Sequence, residues 1–163
     1  MVTLIQRVNN RVVSKKYHNK GEYRLFEAYA RALSGQSISR FIPKQLDAGI
    51  VSVDGNTHEE VFSTKVRNGV TIPVLTSYKE GGTDGGDYKD GGVSVPYCRV
   101  SVTLFSDMFD LSDVDEGDTL RIRLKSSNNN VLAGVDVPGL AKAVKDTSSG
   151  IQLLLLWDLY VTN

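Results

Sequence analysis

From Val93 to Phe105 the side chains alternate in kind. Val95, Tyr97, Arg99, Ser101 and Thr103 fall on one face, and Pro96, Cys98, Val100, Val102 and Leu104 on the other. A two-residue period is the signature of a strand with one buried face, because successive Cβ atoms point to opposite sides of the pleat. Thr119 to Leu124 repeats the pattern, with Leu120, Ile122 and Leu124 to one side and Arg121 and Arg123 to the other. Leu46–Val53, Val70–Tyr78 and Val131–Val137 read as further strands. The turn Asp54-Gly55-Asn56 offers Glu60–Lys65 as a hairpin partner for the first of these, and Asn128–Asn130 forms another turn. Pro73 inside Val70–Tyr78 marks an edge or a bulge, since proline gives a ladder no N–H. The closing run Ile151–Val161 is almost continuously apolar, which implies burial on both faces or in a subunit interface. Strands far outnumber helices, so the expected fold is mainly β, an antiparallel β-sandwich with one N-terminal α-helix.

That helix is expected from about Gly21 to Ser34. Leu25, Phe26, Tyr29, Ala32 and Leu33 recur at helical spacing and form one stripe. Gly35 ends it, and Pro43 forces Ile42 into an extended conformation before the next element. A single turn of helix is expected at Leu140–Val144. The first twenty residues are ambiguous. Val2, Leu4, Val8, Val12 and Val13 suit an edge strand, an arm that orders on a neighbour, or a short helix, with a turn at Asn9-Asn10. We divide the chain into an N-terminal basic arm, residues 1–20, and a single β-sandwich domain, residues 21–163, a length ample for one core.

The net charge is zero but polarised. Residues 1–82 hold 12 Lys/Arg and 7 Asp/Glu (12 − 7 = +5), and residues 83–163 hold 7 and 12 (7 − 12 = −5). The basic excess lies at the front, in Arg7, Arg11, Lys15, Lys16, Lys20 and Arg24, and the acidic excess between Asp84 and Asp118. Such polarity suits head-to-tail contact between copies, or a basic arm laid on an acidic neighbour, as well as two solvated faces. The basic cluster has little aromatic interleaving and the chain as a whole is not basic, which disfavours a nucleic-acid partner. The longest apolar run is far too short to span a bilayer, and the N-terminus shows no signal-peptide pattern, so no membrane partner is expected. The single cysteine, Cys98, excludes an internal disulfide. It reads as a small buried side chain, in keeping with synthesis in a reducing cytoplasm.

Residues 81–92, Gly-Gly-Thr-Asp-Gly-Gly-Asp-Tyr-Lys-Asp-Gly-Gly, contain six glycines and three aspartates and read as an exposed loop between strands. Little else carries chemistry. His18 and His58 have no acid or nucleophile at a recognisable spacing, and with Cys98 they make no short-spaced metal pair. Asp113-Val-Asp115-Glu-Gly117-Asp118 misplaces the glycine of a calcium loop and reads as a turn. Asp84, Asp87 and Asp90 resemble half of one calcium-binding nonapeptide repeat, which needs stacked copies. The glycine pairs lack the lysine and the strand–helix context of a phosphate loop. No enzyme activity and no cofactor are expected.

Ala32-Leu33-Ser34-Gly35-Gln36, then Phe41-Ile42-Pro43-Lys44 and a strand with Asp47-Ala48-Gly49, resembles the start of a small β-sandwich module in structural proteins of tailed bacteriophages. Ile72-Pro73-Val74, Val95–Val100, Val131–Val135 and a closing strand bearing Trp157 extend the resemblance over residues 24–160. It implies a non-enzymatic virion subunit, made in the host cytoplasm, that contacts its own copies and other virion proteins. Closure soon after Trp157 favours an adaptor, collar or capsid- or tail-associated protein over a full fibre. The candidate partner-binding residues are Arg7, Arg11, Lys15 and Lys16 at the front, and Asp84, Asp87, Tyr88 and Asp90 in the glycine-rich loop. The alternative is a carbohydrate-binding module for host-surface attachment, with Tyr78, Tyr88 and Tyr97 as its exposed aromatics.

Overall fold

Among the described residues, twelve strands, one α-helix and one 3-10 turn follow from the alternation and its interruptions. The computed structural model describes residues 1–8, 11–17, 20–21, 23–52, 66–105, 108, 117–138 and 152–160. In chain order these are β1 (Val2–Val8), β2 (Arg11–Tyr17), β3 (Lys20–Gly21), α1 (Tyr23–Leu33), a 3-10 turn (Ser39–Phe41), β4 (Pro43–Val51), β5 (Arg67–Pro73), β6 (Leu75–Lys79), β7 (Lys89–Asp90), β8 (Val93–Ser94), β9 (Tyr97–Phe105), β10 (Thr119–Ser126), β11 (Val131–Pro138) and β12 (Gln152–Leu159). The first sheet has the order β2-β1-β12-β9-β6 and the second β3-β11-β10-β4-β5, and β7 and β8 form a small separate ribbon. Every pairing is antiparallel. The protein is the mainly-β sandwich with one helix that the alternation implies.

The core is a single cluster contributed by both sheets. Val2, Val100, Val102, Leu104, Leu155 and Trp157 come from the first, and Leu46, Ala48, Ile50, Leu120, Ile122, Leu124, Ala133, Val135 and Val137 from the second. The faces read from the sequence on β9 and β10 are the faces observed. Val100, Val102 and Leu104 point inward, as do Leu120, Ile122 and Leu124. At Asn129 the backbone turns left-handed (φ 59°), and Asn129 N–H donates to Ser126 O at 3.0 Å, closing the β10–β11 turn. β10 and β11 slip register just after Leu124, leaving the fully buried Leu132 as the extra residue. Among the described residues, the buried Trp157 Nε1 and Ser126 Oγ have no hydrogen-bond partner.

Three segments differ from expectation. Residues 2–8 and 11–17 are not an arm outside the domain. They are strands of the first sheet, with β1 interior to it and Val2 fully buried against Trp157. The run Val70–Tyr78 is two strands. β5 ends at Pro73, and the chain crosses at Val74, whose N–H donates to Lys44 O at 3.1 Å, so that β6 joins the other sheet. The stripe on α1 is not a core face. Leu25 packs on the core, whereas Phe26, Tyr29 and Leu33 are exposed. The helix stops as expected at Gly35 (φ +75°), where Gln36 N–H closes back on Arg31 O at 2.9 Å. The expected hairpin partner Glu60–Lys65, the turns at Asn9-Asn10 and Asp54–Asn56, both histidines, most of the acidic segment before Thr119 and the helical turn at Leu140–Val144 lie outside the described residues. Within them β4 pairs with β10 on one side and β5 on the other.

The burial pattern makes a paired prediction for urea denaturation. Ile122→Ala removes a fully buried side chain and lowers stability by about 2–5 kcal/mol. Leu75→Ser, at a position 77% exposed, changes it by no more than about 0.5 kcal/mol. Equal effects would contradict the assignment of faces.

Candidate functional site: a latched lobe and an unpartnered apolar face

Alternation on β12 sends Trp157 into the core and the next side chain, Asp158, to the outer side of the first sheet. A carboxylate among leucines needs partners, because an unpaired buried charge is strongly unfavourable. Asp158 is 2% exposed and has two, which together make three hydrogen bonds to it. Arg99 on β9, its cross-strand neighbour in register, grips it with both ends of the guanidinium, Nε to Oδ1 at 2.8 Å and Nη2 to Oδ2 at 2.9 Å. Tyr88 donates its hydroxyl to Oδ2 at 2.6 Å.

Tyr88 belongs to the glycine-rich segment, which is a built lobe on the end of β6 and β9. Thr83 and Gly86 form a β-bridge with left-handed Asp84 (φ 49°) and Gly85 (φ +78°) between them. β7 and β8 are joined through Gly91 and Gly92, both at positive φ, as a tight two-residue turn requires. Gly86 is obligatory for another reason, since a Cβ there would lie 2.5 Å from the Tyr97 ring. Tyr97 is buried beneath the lobe, and its hydroxyl donates to Thr83 O. Tyr88 meets Tyr97 edge-on at 5.2 Å and stacks on Tyr160 at 3.8 Å. Arg99 spans both layers, donating Nη1 to Asp84 O at 2.8 Å while lying 5.5 Å from the Tyr97 ring centroid. The lobe is therefore held to the sheet by one carboxylate, one guanidinium and a tyrosine pair.

The electrostatics follow from that packing. Burial, then the hydrogen bond to Asp158, raises the Tyr88 hydroxyl above the ordinary phenol range. Burial, with Asp158 nearby, raises the Cys98 thiol, leaving little thiolate at neutral pH. Hydrogen bonding from Lys79 at 2.6 Å, and its charge, lower the carboxyl of Asp84.

The candidate residues fall into two groups. Arg7 lies on β1, and Arg11, Lys15 and Lys16 on β2, at one edge of the first sheet. Asp84, Asp87, Tyr88 and Asp90 lie in the lobe beside β6, at the opposite edge. The edge strands are four strand spacings apart, about 19 Å, so the sheet does not bring the two groups together. Asp84 pairs with Lys79 and Asp87 with Lys89 at 3.1 Å, so the lobe satisfies much of its own charge. Tyr88 and Tyr97 are occupied in holding the lobe, whereas Tyr78 is 75% exposed. Sequence reasoning missed Asp158, Arg99 and Lys79. The available signal was Asp158 itself, the one charge in an otherwise apolar closing strand.

The polar groups of the lobe face each other, but the helix leaves an apolar surface open. Phe26, Tyr29 and Leu33, 66%, 51% and 73% exposed, share one face of α1 at i, i+3 and i+7 with exposed Ala30 between them. Glu27, paired with Arg24 at 3.5 Å and Arg31 at 3.2 Å, borders them. The edge strand β6 adds exposed Leu75 and Tyr78 elsewhere on the surface. Among the described residues no three His, Cys, Asp or Glu side chains cluster as metal ligands would, and no helix is long and apolar enough to cross a membrane. No family model matches the chain, and no curated protein or solved structure matches it.

Two measurements test the latch. Asp158→Ala, which leaves Arg99 without its buried partner, lowers stability by about 3–5 kcal/mol, and Tyr88→Phe lowers it by about 1.5–3 kcal/mol. The Tyr88 hydroxyl is raised on folding, so its contribution is complete below the ordinary phenol value near 10.0 and fades as pH rises through the folded value. The gap between wild type and Tyr88→Phe in urea stability therefore stays constant across neutral pH and closes only in strong alkali. A gap that already shrinks between pH 7 and 9 would contradict the hydrogen bond. Separately, iodoacetamide labels Cys98 slowly in the native protein at neutral pH and rapidly in denaturant, and equal rates would contradict its burial.

Proposed function

We propose that this chain is a non-enzymatic structural subunit of a tailed-bacteriophage virion, an adaptor, collar or capsid- or tail-associated protein that works through contacts with its own copies and with neighbouring virion proteins. The observation that carries the reading is the open apolar face of α1. A helix normally turns its apolar stripe to the core, and this one spends Leu25 there while Phe26, Tyr29 and Leu33 face outward. Large apolar side chains grouped on one exposed face mark an interaction surface.

The occupant that fits is a second copy. Glu27 between Arg24 and Arg31 places both signs of charge along the border of the same face. A two-fold axis through Tyr29 sets Phe26 of one copy against Leu33 of the other, the self-complementary arrangement an isologous contact demands. The virion setting is supported by the helix–Gly-Gln–Pro–strand resemblance, whose Gly35 and Pro43 end the helix and open β4. The protein would be made in the bacterial cytoplasm and carried in the particle. The carbohydrate-binding alternative loses two of its three tyrosines to the lobe, where Tyr88 and Tyr97 pack against each other.

Sedimentation analysis tests the helix contact. Wild type associates with increasing concentration, and the double variant Phe26→Glu, Leu33→Glu sediments as a monomer with an unchanged thermal midpoint, since both positions are exposed. A wild type that stays monomeric at the highest concentration reached, or a variant that associates equally well, would overturn the reading.

A further inference from the structure

Each sheet of the sandwich has two edge strands, and three of the four are blunted. β3 has only two residues, β5 ends on Pro73 and slips register against β4, and β2 carries Arg11, Lys15 and Lys16 in its sequence. Shortness, proline, irregularity and positive charge are the usual means of keeping a sheet edge from pairing with another chain. The fourth edge, β6, reads Leu-Thr-Ser-Tyr-Lys and pairs, among the described residues, with β9 alone. It has no proline, no slip in its register and no charge at its centre. Its one cation, Lys79, stands at the end of the strand and is drawn to Asp84 at 2.6 Å.

Both faces of β6 are open. Thr76 and Tyr78 lie in register with Val100 and Cys98, which pack in or against the core, yet both are exposed, Tyr78 at 75%. The core side of the first sheet is therefore uncovered at this edge. On the other face Leu75, in register with Ser101, is 77% exposed. The outward N–H and C=O groups of an edge strand are a template for one more strand. Here an incoming strand finds apolar surface on one face from Tyr78 and on the other from Leu75.

The lobe sets the charge of what enters. From Lys79 to Ser94 the chain holds Lys79 and Lys89 against Glu80, Asp84, Asp87 and Asp90 (2 − 4 = −2). Asp84 and Asp87 take the two lysines. Glu80, exposed and directly after β6, pairs with no cation among the described residues. Antiparallel addition, the pairing used throughout this sheet, sets the N-terminal end of an entering segment beside Lys79 and Glu80.

We propose that β6 is a docking strand for an extended segment of a neighbouring protein, which adds antiparallel to the first sheet. The segment has basic residues at its N-terminal end and alternating apolar residues after them. Main-chain hydrogen bonds supply the affinity, and the alternate side chains supply the specificity. A second copy of this chain fits this edge less well. Four antiparallel ladders separate β2 from β6, so the two edges run in the same direction. Copies laid side by side along the sheet would pair the basic β2 with β6 in parallel, the less stable arrangement. β6 paired with itself about a two-fold axis at Ser77 sets Val74 opposite Glu80 and gives that carboxylate no cation. The inference uses neither α1 nor the virion setting.

Amide chemical-shift mapping and isothermal titration test it on the double variant Phe26→Glu, Leu33→Glu, which removes the helix contact. The probes are the end-capped peptide Lys-Arg-Val-Thr-Ile-Ser-Val and its reverse, Val-Ser-Ile-Thr-Val-Arg-Lys. The first binds saturably, shifts the amides of Leu75–Lys79 and binds at least about fivefold more tightly than the reverse. Tyr78→Lys weakens its binding about tenfold while leaving the urea midpoint unchanged, because the side chain is exposed. Glu80→Gln weakens it about threefold and reduces its dependence on salt. No shifts along β6, equal affinity for the two peptides, or affinity indifferent to Tyr78→Lys would overturn the proposal. So would self-association of the double variant that Tyr78→Lys abolishes, because the edge would then belong to a second copy.

Discussion

The last strand in the chain is the central strand of the first sheet. β12 lies between β1 and β9, so Val2 faces Trp157 across one ladder and Val100 faces it across the other. Without β12 the sheet is a β1–β2 pair and a β6–β9 pair with nothing between them, and an isolated two-stranded unit is marginal in water. Completing the sheet joins residues from opposite ends of the chain. Such distant pairing is slow to form, because loop closure must precede the contacts that stabilise it. The same strand serves both faces. Trp157 fills the sandwich, and one residue later Asp158 anchors the lobe through Arg99 and Tyr88. Core and lobe thus depend on one register, since a one-residue slip would put the carboxylate in the core and the indole outside.

What was legible in the sequence was local. The two-residue period on β9 and β10 separates the two faces as they are observed, because burial on one face leaves its mark along the strand itself. Gly35 ended the helix for a reason confined to its own backbone. What was not legible was long-range. Val2, Leu4 and Val8 have the composition of a strand, but only β12, more than a hundred residues later, makes β1 an interior strand rather than part of an arm. Pro73 reads as an edge or a bulge, and the change of sheet it marks depends on Val74 reaching back to Lys44. The helical period showed that Leu25, Phe26, Tyr29, Ala32 and Leu33 share a stripe. It did not show that the second sheet would contact only part of it.

The glycine-rich segment shows the same limit from the other side. Its composition suggests an exposed loop, and its surface residues are indeed mostly exposed. Its order comes from residues elsewhere. Tyr97 fills the space that Gly86 leaves, and Arg99 and Asp158 supply the charges. Tyrosines that look available for a ligand when read in sequence are bound to each other in space. Of the aspartates that look like a calcium cluster, Asp84 and Asp87 are paired with Lys79 and Lys89. Composition identifies the chemistry a segment carries, whereas the partners decide whether that chemistry is spent inside the molecule.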